Sequence, residues 1–296
     1  MQIIEDKVYA FSKDNPPCYT AQPGEVLQFN TLDCFSGRLT DETVTMKDMD
    51  FSYNITNPAA GPVYVEGAEV GDVLVVDIYD IQVADEGTIA TDDHCGPLFE
   101  GTDYRTKKIK IEGGMADFNG VRFPINPMIG VIGVAPAGDP VNCGTPGSHG
   151  GNMDNTAITT GATLYFPVAV EGALFGCGDM HAAMGDGEIS VSGAEVAGYA
   201  TVTLTALPDL HLVDPLIENG THLGIIASAE SLDAAADRAV HEMVDLLHDR
   251  TGIDEAELVM LLSLVADVQV CQMVDPQKTV RFMVPKCALE SLGFKL

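Results

Sequence analysis

The stretch Gly178-Asp179-Met180-His181-Ala182-Ala183-Met184-Gly185-Asp186-Gly187-Glu188 lies between an apolar segment, Ala173-Leu174-Phe175-Gly176, and an alternating one, Ile189-Ser190-Val191-Ser192. Its flanks predict two strands, and its three glycines allow the chain to turn sharply between them. The neighbourhood is therefore β-rich. A simple turn needs one or two polar residues, whereas this one carries an imidazole and three carboxylates. That density marks it as a candidate chemical site.

Working outward, most of the chain up to residue 207 is strand-like. Leu164-Tyr165-Phe166-Pro167-Val168-Ala169-Val170 leads into the stretch. Pro127-Met128-Ile129-Gly130-Val131-Ile132-Gly133-Val134-Ala135-Pro136 reads as a buried strand whose glycines admit a second backbone at close range. It lacks the Gly-x-Gly-x-x-Gly turn of a dinucleotide-binding unit. Between these segments lies a second glycine-flanked polar cluster, Gly147-Ser148-His149-Gly150-Gly151-Asn152-Met153-Asp154-Asn155. Residues 61–65 and 73–78 are strands joined through Glu66-Gly67-Ala68-Glu69-Val70-Gly71-Asp72, as a hairpin or a barrel corner. Residues 24–29 and 107–111 add further strands. Asp92-Asp93-His94-Cys95 reads as a solvated loop rather than a metal cluster. From Gly198 to Leu207 the pattern alternates, with Ala200, Val202 and Leu204 on one face.

The period changes near Ser228. Apolar residues recur at 232, 236, 239, 240, 243, 246 and 247, which is helical spacing, with Ser231 as a cap and Gly252 as a stop. A second helix is expected from about Asp254 to Val265, followed by strands near 268–272 and 279–284. The expected fold is α+β and β-rich. A sandwich- or barrel-like body spans residues 1–207, with a C-terminal α/β unit of two helices and strands, residues 208–296, packed on it.

The chain has 296 residues, 46 % of them hydrophobic, which is enough for a sizeable core,. Fifteen basic residues against 44 acidic ones give a net charge of −29. Such a field disfavours nucleic acid and anionic membranes as partners, and most of the acids must be surface groups. No basic region followed by an apolar run opens the chain, and no segment is long and apolar enough to cross a bilayer. Seven scattered cysteines without a Cys-x-x-Cys pair read as reduced thiols of a cytoplasmic protein.

Asp179 and His181 are two apart, so an extended backbone places both on one face, where they could bind a cation or act as an acid-oriented base. Asp186 and Glu188 share that spacing. Asp154 could supply another oxygen and Asn152 a hydrogen bond to substrate. The order of several blocks resembles the acetamidase/formamidase family. These are Asn57-Pro58-Ala59 with residues 61–69, residues 129–136, His149-Gly150-Gly151-Asn152-Met153-Asp154, and Gly172-Ala173-Leu174. The opening stretch with Glu195, Gln272-Met273-Val274-Asp275-Pro276 and Thr279-Val280-Arg281 complete the series.

The resemblance implies hydrolysis of a short-chain amide such as formamide or acetamide, a β-rich fold and a homodimer. Amide hydrolysis needs an activated nucleophile, oxyanion stabilisation and protonation of the departing amine. No Gly-x-Ser-x-Gly or Ser-x-x-Lys motif is present. A metal-activated water is the preferred nucleophile, with a divalent metal, zinc foremost, and calcium as an additional ion. Asp154, Asp179 and His181 are the expected ligands, His149 an extra one, Glu188 or secondarily Asp186 the general base, and Asn152 the substrate holder. Asp186 and Glu195 could instead pin loop backbone. Two rivals are a non-catalytic cation-binding protein on the same fold and a cysteine-dependent amidase using Cys177 or Cys143.

Overall fold

Strands with alternating apolar residues have one face to hide, and here two sheets hide theirs against each other. The computed structural model describes residues 1–49, 56–93, 95–97 and 103–296. Among the described residues one sheet has nine strands, a second eleven, and a third pairs Ala10–Phe11 with Val141–Asn142. The nine-stranded sheet sets Val26–Thr31, Gly198–Leu207, Val73–Val83 and Thr163–Pro167 side by side. It continues through Leu216–Glu218, His222–Ala229, Lys278–Pro285 and Asp267–Gln272. In the eleven-stranded sheet, Phe175–His181 pairs antiparallel with Met128–Gly133, Ala59–Val65 and Glu195–Val196.

Leu27, Phe29 and Val202 from one sheet meet Val63, Ile132 and Phe175 from the other in a single buried cluster. Phe29 and Phe175 close it edge to face, with ring centroids 5.3 Å apart,. The sheets do not close into barrels. The fold is a β-rich α+β sandwich with few helices.

Two local expectations change. Residues 66–72 form no hairpin: Ala59–Val65 lies in the eleven-stranded sheet and Val73–Val83 in the nine-stranded one, so the turn is a corner between layers. Asp72 Oδ2 accepts from the Glu69 amide there at 3.0 Å. Ile189-Ser190-Val191-Ser192 is a turn rather than a strand. Val191 has φ 75°, which no strand tolerates, and Ser192 Oγ bonds both the amide and the carbonyl of Ala90 at 2.9 and 3.1 Å. The alternating polar residue anchors the loop instead of facing solvent.

Near the C-terminus the helical period is realised as α1, Leu232–Thr251, and α2, Glu255–Val265. Ser231 Oγ accepts from the Ala234 amide at 3.2 Å, and Gly252 takes φ 70° at the other end,. A short α3, Lys286–Ser291, follows the last strand. Ala239, Met243 and Leu247 of α1 pack with Ile225, Val280 and Phe282 in a second buried cluster. The sheet runs unbroken past residue 207, because Thr163–Pro167 pairs with Leu216–Glu218. Residues 208–296 thus extend the body's own sheet, and their cluster takes in Val73 and Tyr165 of the body. Among the described residues no helix is long and apolar enough to cross a membrane.

Candidate active site

Asp179 and His181 lie on Phe175–His181, a strand buried along its whole length. His181 Nε2 is 3.5 Å from Asp179 Oδ1. Across the sheet, a Cβ added at Gly130 would lie 2.4 Å from Asp154 Oδ1 and 3.1 Å from Asp179 Oδ2. Only glycine leaves room there for two carboxylates. Asp154 follows the strand Gly150–Asn152, which pairs with Met128–Gly133, and its Oδ1 stands 3.7 Å from His181 Nε2. Glu188 enters from the loop, so that ligand atoms of Asp154, His181 and Glu188 lie within 4.8 Å of one another. Glu195 Oε2 lies 3.0 Å from His181 Nε2. Asp154, Asp179, Glu188 and Asn57 have φ of 41°, 51°, 46° and 52°. Left-handed backbone is costly for non-glycine residues, and its concentration at one place marks a functional centre.

Several of these groups are fixed from behind. Asn57 Nδ2 donates to Asp179 Oδ2 at 2.8 Å, the Gly193 amide to Glu195 Oε1 at 2.7 Å, and Asn152 Nδ2 to Asp275 Oδ2 at 2.9 Å. The atoms left over are buried. Both Asp154 oxygens and Asn152 Oδ1 have no hydrogen-bond partner among the described residues, and Asp179 Oδ1 and Glu195 Oε2 face the His181 ring at 3.5 and 3.0 Å. Buried polar atoms are ordinarily paired, so this concentration calls for a ligand.

Burial pushes the Asp154 carboxyl up to about 6 and that of Glu195 up to about 8. Burial, then the charge of Asp154, raises Glu188 and Asp275 well above the usual carboxylate range. Burial opposes ionisation of Asp179 too, but hydrogen bonding and charge from His181 hold it below its ordinary value. Burial would lower His181; the facing Glu195 and Asp179 outweigh it and raise the imidazole. Five carboxyl groups around one imidazole make a buried cluster in which burial resists ionisation, and a cation among them would favour their charged forms.

The structure brings together Asp154, Asp179, His181, Glu188 and Asn152 from the sequence-predicted set. It sends Asp186 elsewhere: Arg281 binds it through both nitrogens, at 2.6 and 3.2 Å, and Thr156 Oγ1 donates to it at 2.7 Å. With both oxygens engaged, Asp186 clamps the loop to the last strand and is not placed to act as a base. His149 stands apart, its ring edge to face with Phe11 at 5.3 Å. Cys177 and Cys143 are buried thiols raised by burial, within the hydrophobic core, which removes them as nucleophiles,. His94 lies outside the described residues. Sequence reasoning gave no site role to Cys34, Asn57 or Asp275, and saw Glu195 only as a backbone pin. Asn57 and Asp275 stand in blocks that carried the family resemblance, which was the available signal.

A cavity of about 110 Å³ opens on the cluster, lined by Asn57, Asn152, Asp179, Glu188, Glu195 and Asp275 among others. A larger, mainly apolar depression of about 610 Å³ lies against the outer side of the same loop, beside Phe118, Val121 and Ile189. Of the predicted site residues it touches only Asp186 and Glu188.

Fold and site define a β-rich protein with an enclosed anionic centre. A model described as the acetamidase/formamidase family matches residues 5–142 and 142–290, and the chain belongs to that family. The chain is 27 % identical to a formamidase from Methylophilus methylotrophus over 263 residues, which cover 66 % of this chain and 63 % of that protein. The match therefore spans less than two thirds of the relative's length. A crystal structure of a predicted acetamidase/formamidase from Thermoanaerobacter tengcongensis is 43 % identical, with a TM-score of 0.96 over 100 % of this chain and 99 % of that one. A crystal structure of an acetamidase from Bacillus halodurans is 42 % identical, with a TM-score of 0.96 over 99 % of this chain and 100 % of that one.

Two predictions follow from this geometry. Gly130→Ala should cost roughly 1–3 kcal/mol of stability through the clash with Asp154. Gly138→Ala, whose Cβ would meet nothing within 4 Å, should be near neutral. Equal denaturant midpoints for the two would contradict the packing. Burial pushes His149 down to about 4. The unfolded chain therefore binds that proton first as pH falls below the ordinary histidine value, and stability is lost between about pH 6.5 and pH 4. From about pH 7.5 to pH 5 the protein should lose about 2 kcal/mol more unfolding free energy than His149→Gln. Parallel losses would refute the assignment.

Proposed function

We propose that the chain hydrolyses a short-chain amide, such as formamide or acetamide, to a carboxylate and ammonia. The observation that carries this reading is the small cavity lined by Glu188 and Asn152 beside the carboxylate cluster. Its volume of about 110 Å³ suits an amide of a few heavy atoms. Relatives named formamidase and acetamidase support the substrate class.

The donor set fits a divalent cation of the zinc class. Asp154, Asp179 and His181 would supply oxygen and nitrogen ligands, and both Asp154 oxygens have no hydrogen-bond partner among the described residues,. A cation held there would polarise the amide carbonyl and lower the pKa of a water. Asn152 Oδ1 accepts from the substrate NH₂ group, while its own Nδ2 is fixed by Asp275. Glu188 takes the proton from the attacking water as the C–O bond forms. It then delivers that proton to nitrogen as the C–N bond breaks, so ammonia rather than an amide anion leaves. Burial raises Glu188, and a cation held beside it would keep the carboxylate ionised and able to accept that proton. Asp186 and Arg281 hold the loop that carries Glu188.

Glu188→Gln should lower kcat for ammonia release by about 10²–10⁴-fold, the usual worth of a general base. Asp186→Asn, at a half-exposed ion pair away from the cavity, should lower it by less than roughly tenfold. A Glu188→Gln protein with an unchanged rate would sink the assignment.

A further inference from the structure

The small cavity beside the cluster is only partly polar. Besides the carboxylates, Asn57 and Asn152, its lining includes Cys34, Phe35, Met46 and Val191. These last belong with Leu39 and Ala90 to one apolar cluster that shares no residue with the two large ones described above. Phe35 and Met46 are 3 % and 5 % exposed, so each is almost wholly packed and still borders the cavity. Phe35 and Val191 offer no side-chain hydrogen bond, and the Met46 thioether is at most a weak acceptor. The patch is fixed from several directions. The Asn57 amide donates to the Cys34 carbonyl at 2.8 Å, while the Asn57 side chain holds Asp179 Oδ2 at 2.8 Å. One residue thus sets the apolar patch in register with the carboxylates. Asp48 Oδ2 accepts from the Thr45 amide at 2.9 Å and closes the helical turn Met46–Asp48. Ser192 Oγ, bonded to Ala90 of the same cluster, pins the turn that carries Val191. A wall held in place beforehand spends little binding energy on ordering.

We infer that this patch is the acyl subsite: the alkyl group on the substrate carbonyl packs against Phe35, Met46 and Val191, and Met46 sets the longest chain admitted. The inference rests on the amidase reading above and not on any cation. A simple amide is polar at its carbonyl and nitrogen and apolar only at its acyl group. In a cavity divided between carboxylates with amides and a hydrocarbon patch, one orientation buries the alkyl group without stranding a polar atom. That orientation turns the carbonyl and nitrogen toward Asn152 and Glu188, where the chemistry needs them. Formamide carries hydrogen in place of the alkyl group and gains nothing from the patch. Each added carbon gains apolar contact until the Met46 side chain stands in the way. The class selected is the neutral, unsubstituted aliphatic amides. An acyl group bearing a hydroxyl or a carboxylate would leave that group unpaired against the patch.

The test is kcat/KM for ammonia release from formamide, acetamide, propionamide and butyramide, each expressed relative to formamide. In that ratio a general loss of folding or catalysis cancels, and acyl recognition remains. Met46→Ala should raise the butyramide ratio by roughly tenfold or more, the worth of relieving a methylene-sized obstruction in an apolar pocket. Val191→Thr keeps the branched shape but puts a hydroxyl where a methyl stood, and should lower the acetamide and propionamide ratios by roughly three- to tenfold. Ratios unchanged in both variants, with ammonia still released, overturn the inference and leave the amidase reading intact. No ammonia from any of these amides with the unmutated protein overturns both. Val191→Thr decides the matter even where Met46→Ala does not fold.

Discussion

Asp154, Asp179, Glu188, Glu195 and Asp275 are gathered around a single imidazole in the interior of a protein that is itself strongly acidic. Taking charge out of water is among the most expensive things a fold can do, and like charges compound it. The site responds in the two ways open to it. Protons are held more tightly, so Asp154, Glu188 and Glu195 resist ionisation, and the inward oxygens converge where a cation would neutralise them. The same arrangement that makes the cluster costly to bury is one that a bound positive charge would relieve.

The surrounding architecture is arranged to keep that cluster in place. Phe175–His181 is a central, fully buried strand, so Asp179 and His181 have no solvent to retreat into. Gly130 on the neighbouring strand leaves the space two carboxylates occupy. Asn57 and Gly193 fix the outer oxygens, and Arg281 from the far end of the chain draws the 182–194 loop inward through Asp186. The C-terminal strands are thus part of the site's support as well as an extension of the nine-stranded sheet.

Much of this was legible in the sequence, for local reasons. The helices could be read because Ser231, Asp254 and Gly252 punctuate a clear 3.6-residue period. Asp179 and His181 could be paired because strand parity acts over two residues. The glycines of residues 127–136 announced a close approach, which at Gly130 turned out to be a carboxylate oxygen and a strand carbonyl rather than backbone alone. What was not legible depended on distance. Asn57 meets Asp179 across 122 residues and Asn152 meets Asp275 across 123, and no spacing rule reaches so far. Ile189 to Ser192 misled because a side chain anchored to backbone alternates just as a solvent-facing one does.

The proposal most open to test is that these converging carboxylates bind a cation. The most direct measurement is anomalous diffraction from crystals of the purified protein, collected across the zinc absorption edge. A peak bounded by Asp154, Asp179 and His181, rising above the edge and lost on chelation, is the result this account predicts. Density without any anomalous peak, with the inward oxygens of Asp154, Asp179 and Glu195 hydrogen-bonded to one another as protonated acids, would contradict it.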